Sequence, residues 1–145
     1  MLPKDFKEFV ALPNAHGVRY LVVGGYAMAV HGRPWQTGDL DIRLKRDHDN
    51  ALRVTVALQD FGFGGLGLSV DDFEIPERVV QLGYPPFRID LLTDIDGVDF
   101  DAAWSSRFEC RIDELDIPFI GIDALKANKR ASGRPRDIDD LENLS

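Results

Sequence analysis

The sequence predicts an α/β (α+β) protein in which a mixed, twisted β-sheet is flanked by helices. Two observations point there. Short β-branched or aromatic runs alternate with segments of helical spacing along the whole chain. The length of 145 residues suits one compact domain over 1–145, and no repeat, linker or shift in composition divides it.

The elements follow in order. Residues 3–14 place Phe6, Phe9 and Val10 at helical spacing, and Pro13 is expected to end that helix. Arg19 to Val23 is a strand that stops at Gly24-Gly25. Tyr26 to Val30 favours a helix, closed by Gly32 and Pro34. Leu40 to Leu44 alternates as a half-buried strand, and from Asp47 onward Leu52, Thr55, Leu58 and Phe61 mark a longer helix. A glycine-rich stretch, Phe61 to Leu68, follows. Val79 to Leu82 and Arg88 to Thr93 read as strands joined by a turn at Gly83-Tyr84-Pro85-Pro86. After an acidic loop from Asp94 to Asp99, a short helix and one or two short strands lead to Pro118. The last segment is helical from Ile122 to Ser132, breaks at Gly133 and restarts at Pro135.

Composition excludes several classes. Hydrophobic residues at 44% and charged residues at 29% are globular values, so wholesale disorder is ruled out. No apolar run reaches the ~18 residues of a membrane span, and the N-terminal stretch lacks a signal-peptide pattern. The lone Cys110 forms neither an internal disulfide nor a zinc cluster, so a cytoplasmic location is expected. A net charge of −8 argues against coating nucleic acid by charge alone.

The strongest constellation is Gly24-Gly25 followed by Thr37-Gly38-Asp39-Leu40-Asp41-Ile42. Glycines between a strand and a helix permit close backbone approach, and N–H groups there suit an anion such as a triphosphate. Asp39 and Asp41 lie two apart on a strand, so both project from one face. Paired carboxylates repel unless a cation lies between them, and magnesium (or manganese) is held by such carboxylates plus phosphate oxygens. Asp90 stands inside the apolar run Arg88-Ile89-Asp90-Leu91-Leu92, where a carboxylate needs solvent, a partner or a metal. Beside Leu40 to Leu44 it would complete a three-carboxylate cluster. Two metal ions there would activate a hydroxyl and stabilise a leaving pyrophosphate. Separately, a D-x-D strand is usually a solvated face and Gly-Gly usually a turn; their order along the chain favours a site.

The order of an apolar residue and Gly24-Gly25, thirteen residues, then the Asp39-x-Asp41 strand resembles the polymerase-β-like nucleotidyltransferase superfamily. Within it, HGRPWQTGDLDI and NKRASGRPRDIDDLENL are similar to small nucleotidyltransferases related to AbiEii-type and MenA-type toxins of toxin–antitoxin and phage-defence systems. The resemblance covers about Tyr20 to Leu144. It implies the nucleotidyltransferase fold and transfer of a nucleoside monophosphate from a triphosphate to a hydroxyl on an RNA end, a protein or a small molecule. It further implies that Gly24 and Gly25 contact phosphates, with Thr37 beside them, and that Asp39 and Asp41 hold the metals. Asp90 would ligate metal and act as general base, and an antitoxin partner becomes an expectation. Gly24-Gly25 replaces the Gly-Ser of many members. The rival reading is a non-catalytic nucleotide- or partner-binding module on the same fold.

Near the C-terminus, Gly121 to Arg136 carries five basic residues (Lys126, Lys129, Arg130, Arg134, Arg136) against one acid, Asp123, a local charge of +4. Lys126, Lys129, Arg130 and Gly133 share helical spacing. Lys129 and Arg130, then Lys126 and Arg134, are the candidates for triphosphate contacts; the alternative is a solvated face paired with Asp137, Asp139 and Asp140.

Other signals are set aside. Gly62, Gly64 and Gly67 match a dinucleotide fingerprint, but no strand precedes them and no long helix follows. Asp94, Asp96 and Asp99 fail the calcium-loop pattern and read as surface acids. His16, His31 and His48 form no metal set, although His31 is placed to stabilise the end of its helix. Cys110 reads as a small buried hydrophobe. Trp35 reads as a packing or partner-contact residue ahead of one that stacks on a nucleobase, and Arg33 is a weaker candidate for a phosphate contact.

Overall fold

A computed structural model describes residues 3–32, 39–63, 66–83 and 88–144. Its elements, in chain order, are α1 (Lys4–Ala15), β1 (Tyr20–Val23), α2 (Gly24–Val30), β2 (Asp39–Leu44) and α3 (His48–Asp60). Next come β3 (Val79–Leu82), β4 (Arg88–Leu92), α4 (Phe100–Ser105), β5 (Phe108–Ile112), β6 (Leu115–Phe119), α5 (Ile122–Ser132) and α6 (Pro135–Asn143). The strands form one six-stranded sheet in the order β3-β4-β2-β1-β6-β5. The sheet is mixed: β1 runs parallel to β6 and β2 parallel to β4, whereas the β1–β2, β3–β4 and β5–β6 pairs are antiparallel. The α/β expectation holds.

Strand periodicity divides the sheet into two faces. Ile42, Leu44 and Leu91 point to one face, where Phe9, Leu12 and Pro13 of α1 and Val54, Ala57 and Leu58 of α3 close over them. Asp39, Asp41 and Arg43 must then point to the other. Burying one apolar side of β2 is therefore what commits its carboxylates to the opposite side.

Local chemistry explains the boundaries. The carboxylate of Asp47 accepts from the Asn50 backbone N–H and caps α3, as its position predicts. Gly133 ends α5 with φ of 62°, and Pro135 opens α6. Three details differ from expectation. Pro13 lies inside α1 rather than ending it, because it is buried against α3 and its missing N–H removes one bond near the helix end. The helix after β1 begins at Gly24, two residues before Tyr26. His31 does not serve its own helix terminus; its ring N–H donates to the Ile120 carbonyl at 2.7 Å and ties α2 to the chain beyond β6. A 3-10 turn at Val70–Phe73, unmarked in the sequence reading, is set by the Asp72 carboxylate accepting from the Ser69 N–H. Tyr84, Pro85 and Pro86 of the expected turn lie outside the described residues, as does Gly64.

Candidate active site

Pairing of β2 with β4 sets Asp39 opposite Arg88 and Asp41 opposite Asp90. Register partners share a face, so the two strands place three carboxylates and one guanidinium side by side. Gly24 comes in from the neighbouring strand end, where Val23 pairs with Asp41. Gly24 has φ of +68°, and a Cβ there would collide with the Asp41 carboxylate. A side chain at Gly24 would thus displace the carboxylate at the centre of the cluster.

These groups line a cavity of about 400 Å³. Its floor is Gly24, Gly25, Asp39, Asp41, Arg88 and Asp90; its far wall is Lys129 of α5 with Arg134, Arg136 and Asp137 at the start of α6. The electrostatics are uneven. Burial, then the charges of Asp90 and Asp39, push the Asp41 carboxyl up to about 6, and Arg88 only partly offsets them. One Arg88 nitrogen, Nη2, lies 2.9 Å from Asp39 Oδ2 and 3.1 Å from Asp90 Oδ2. Asp90 is 7% exposed, and its Oδ1 is buried without a hydrogen-bond partner. Among the described residues no three acidic, histidine or cysteine side chains stand as a ready-made metal-ligand set. The spacing of Asp39 and Asp41 predicts that these two share a face, with Asp90 joining them if β4 lies beside β2. Nothing in that spacing marks Arg88, which engages Asp39 and Asp90.

The α5–α6 wall has its own logic. Lys129 is buried, and its ammonium donates to Asp137 Oδ1 at 3.2 Å and Asp140 Oδ2 at 3.0 Å. Asp137 also accepts from Ser132 Oγ and Arg134 Nε. Burial alone would raise its pKa, but the hydrogen bonds from Ser132, Arg134 and Lys129 outweigh it and hold it at about 2. The expected pairing of this basic run with the following aspartates is real for Asp137 and Asp140.

Of the residues singled out in the sequence, Gly24, Gly25, Asp39, Asp41, Asp90, Lys129 and Arg134 meet at the cleft. Lys126 and Arg130 are not among its lining side chains: the inward stripe of α5 is Leu125 and Lys129, which leaves Arg130 exposed. Thr37, Arg33 and Trp35 lie outside the described residues. Arg88 and Arg136 are the cleft residues that the sequence reading left without a role. For Arg88 a signal existed, since it stands two residues before Asp90 on one strand and so shares its face. The acidic loop is structural: Asp94 pairs with Arg43 and Arg46, and Asp99 caps α4.

No family model matches the chain, and no curated protein matches it. Solved structures do. A candidate nucleotidyltransferase from Thermotoga maritima superposes with a TM-score of 0.58 at 15% identity, covering 97% of this chain and 88% of that one. The lincosamide antibiotic adenylyltransferase LnuA, in its lincomycin-bound form, gives 0.57 at 16% identity over 99% and 96% of the two chains. The antibiotic-resistance factor ANT(2'')-Ia gives 0.56 at 13%, covering 94% of this chain and 78% of that one. No membrane-crossing helix exists among the described residues. The mixed six-stranded sheet with its flanking helices is therefore the fold that these nucleotidyltransferase structures share.

Proposed function

We propose that the cleft binds a nucleoside triphosphate with Mg²⁺ or Mn²⁺ and transfers its nucleoside monophosphate to a hydroxyl. The observation that carries this reading is the register of β2 against β4, which sets Asp41 beside Asp90 under Gly24 and opposite a wall bearing Lys129, Arg134 and Arg136.

The residues fit a divalent ion. Burial and its acidic neighbours push the Asp41 carboxyl up to about 6, and Oδ1 of Asp90 is buried with no hydrogen-bond partner. A divalent ion placed among these carboxylates would relieve the repulsion that, with burial, raises Asp41. Asp39, Asp41 and Asp90 would hold the ion, and when bound it would supply Lewis acidity and lower the pKa of the attacking hydroxyl. The remaining work belongs to the chain. Gly24 and Gly25 let phosphate approach the backbone. Arg134 and Arg136 bring positive charge to the cleft, where a triphosphate needs it, while the Lys129 ammonium is taken up by Asp137 and Asp140 and holds that wall together. The acceptor oxygen attacks the α-phosphorus, the bond to the bridging oxygen breaks and pyrophosphate leaves. The acceptor proton passes to Asp90, whose Oδ1 has a free lone pair. Positioning and charge neutralisation are the protein's main contributions.

A hydroxylated small molecule is the acceptor class best supported, because the lincosamide adenylyltransferase and this chain match over nearly the full length of both. An RNA end or a protein hydroxyl, with an antitoxin partner, is the setting that the toxin resemblance implies. Incubation of the protein with each α-labelled triphosphate in a cell extract distinguishes them by which fraction becomes labelled. Transfer is expected to stop with chelator and with Asp41→Asn. Label transfer undiminished in that variant would overturn the assignment.

A further inference from the structure

We propose that Arg88 is a displaceable internal counter-ion: its guanidinium holds Asp39 and Asp90 in the metal-free protein and gives way when a divalent cation binds. The inference rests on the nucleotidyltransferase reading of the cleft and extends it to a residue that reading leaves unused.

The geometry of Arg88 is unlike that of a permanent structural arginine. A guanidinium makes its strongest contact as a fork, two nitrogens on two oxygens of one carboxylate. Here a single nitrogen, Nη2, is shared between one oxygen of Asp39 and one of Asp90, at 2.9 and 3.1 Å. Arg88 Nε is buried with no acceptor, and Asp90 Oδ1 is buried with no donor. A buried donor and a buried acceptor are thus left unmatched within the same small cluster, and each unsatisfied group disfavours the arrangement. Within the β2–β4 register itself, the described residues set the Arg88 guanidinium beside three carboxylates.

The same contact stands where a metal ion would have to bind. A magnesium ion takes oxygens at about 2.0–2.1 Å. Asp39 Oδ2 and Asp90 Oδ2 are already committed to a nitrogen lying between them. Ion and guanidinium compete for the same lone pairs, and the ion brings twice the charge. Arg88 would keep the empty cluster from repelling itself apart, at the expense of weaker metal binding until substrate phosphates add ligands.

The test is Mn²⁺ binding to the full chain without nucleotide, read from the electron paramagnetic resonance signal of free aqueous Mn²⁺. Arg88→Met is expected to bind Mn²⁺ at least about tenfold more tightly than wild type, equivalent to about 1.4 kcal/mol. Its Tm without metal should fall, and Mn²⁺ should raise that Tm more than it raises the wild type's. Arg88→Lys, which keeps the charge, should stay within about threefold of wild type. If the Met variant does not fold, Arg88→Gln carries the same expectation. Mn²⁺ affinity that is unchanged or weaker in the neutral variants, yet abolished by Asp41→Asn, would overturn the counter-ion role and leave the nucleotidyltransferase reading standing. No Mn²⁺ binding by wild type or any variant at millimolar concentration would overturn both.

Discussion

Asp41 is the residue where the demands of folding and of the cleft conflict. Burial first, and then its two acidic neighbours, raise its carboxyl to about 6, so between about pH 4 and 6 the folded chain binds more protons than the unfolded one. Its contribution to stability is full below the unfolded pKa and is lost as pH rises through 6. Unfolding by urea should therefore show a loss approaching about 3 kcal/mol from this group between pH 4 and 7.5. Asp41→Asn should flatten that slope and raise stability at pH 7.5, while abolishing nucleotide transfer. A variant with the wild-type slope would show that the carboxylate is not under strain. Gly24 is the second residue of this kind. Gly24→Ala combines a positive φ with a collision against Asp41, and should lower stability by about 1 kcal/mol or more. It should also cut transfer far more than its loss of stability explains; wild-type turnover would contradict the close packing of Gly24 on Asp41.

Among the elements, the α5–α6 hairpin depends most on a buried charge. Lys129 lies between Asp137 and Asp140, both at or below 2% exposure, so its removal strands the Asp140 carboxylate and leaves Asp137 to Ser132 and Arg134. Lys129→Met should destabilise the protein by about 3–5 kcal/mol, measured by urea unfolding, whereas Lys129→Met with Asp137→Asn and Asp140→Leu should recover much of that loss. A single variant of wild-type stability would contradict the clasp. Because Asp137 is held at about 2, its contribution is present above the unfolded carboxylate pKa and is lost as pH falls toward 2. Acid unfolding should then begin at this hairpin, seen as early loss of amide protection in α5 and α6. Loss of protection in α3 before α5 would contradict that order.

Across the whole molecule, what was legible followed from periodicity and what was not followed from pairing. The spacing of Asp39 and Asp41 placed those two carboxylates on one face before any strand was paired, whereas Asp90 joins them only through the pairing of β4 with β2. Gly133 and Pro135 marked the α5–α6 turn because their backbone preferences act locally. The parallel partnership of β1 with β6 brings together residues nearly a hundred positions apart, and nothing local encodes it. Arg88 shares its strand and face with Asp90, a signal that was open to reading, but its second partner, Asp39, lies on another strand that only pairing brings alongside. The burial of Lys129 likewise follows from packing: helical spacing grouped it with Lys126 and Arg130, whereas packing turned it inward alone. Gly62 to Gly67 shows the converse, a motif that pattern alone would have promoted and that its flanking elements disqualify.

The function proposed above requires the cleft between β2, β4 and the α5–α6 turn to take a nucleoside triphosphate together with a divalent ion. Thermal unfolding at pH 7.5, with Mg²⁺ and each triphosphate separately and combined, addresses it most directly. At about 100 times the dissociation constant, the matching pair should stabilise the wild type by about 2.7 kcal/mol and Asp41→Asn by none of it. A wild-type protein indifferent to every pair, or a variant that gains as much as the wild type, would contradict the account.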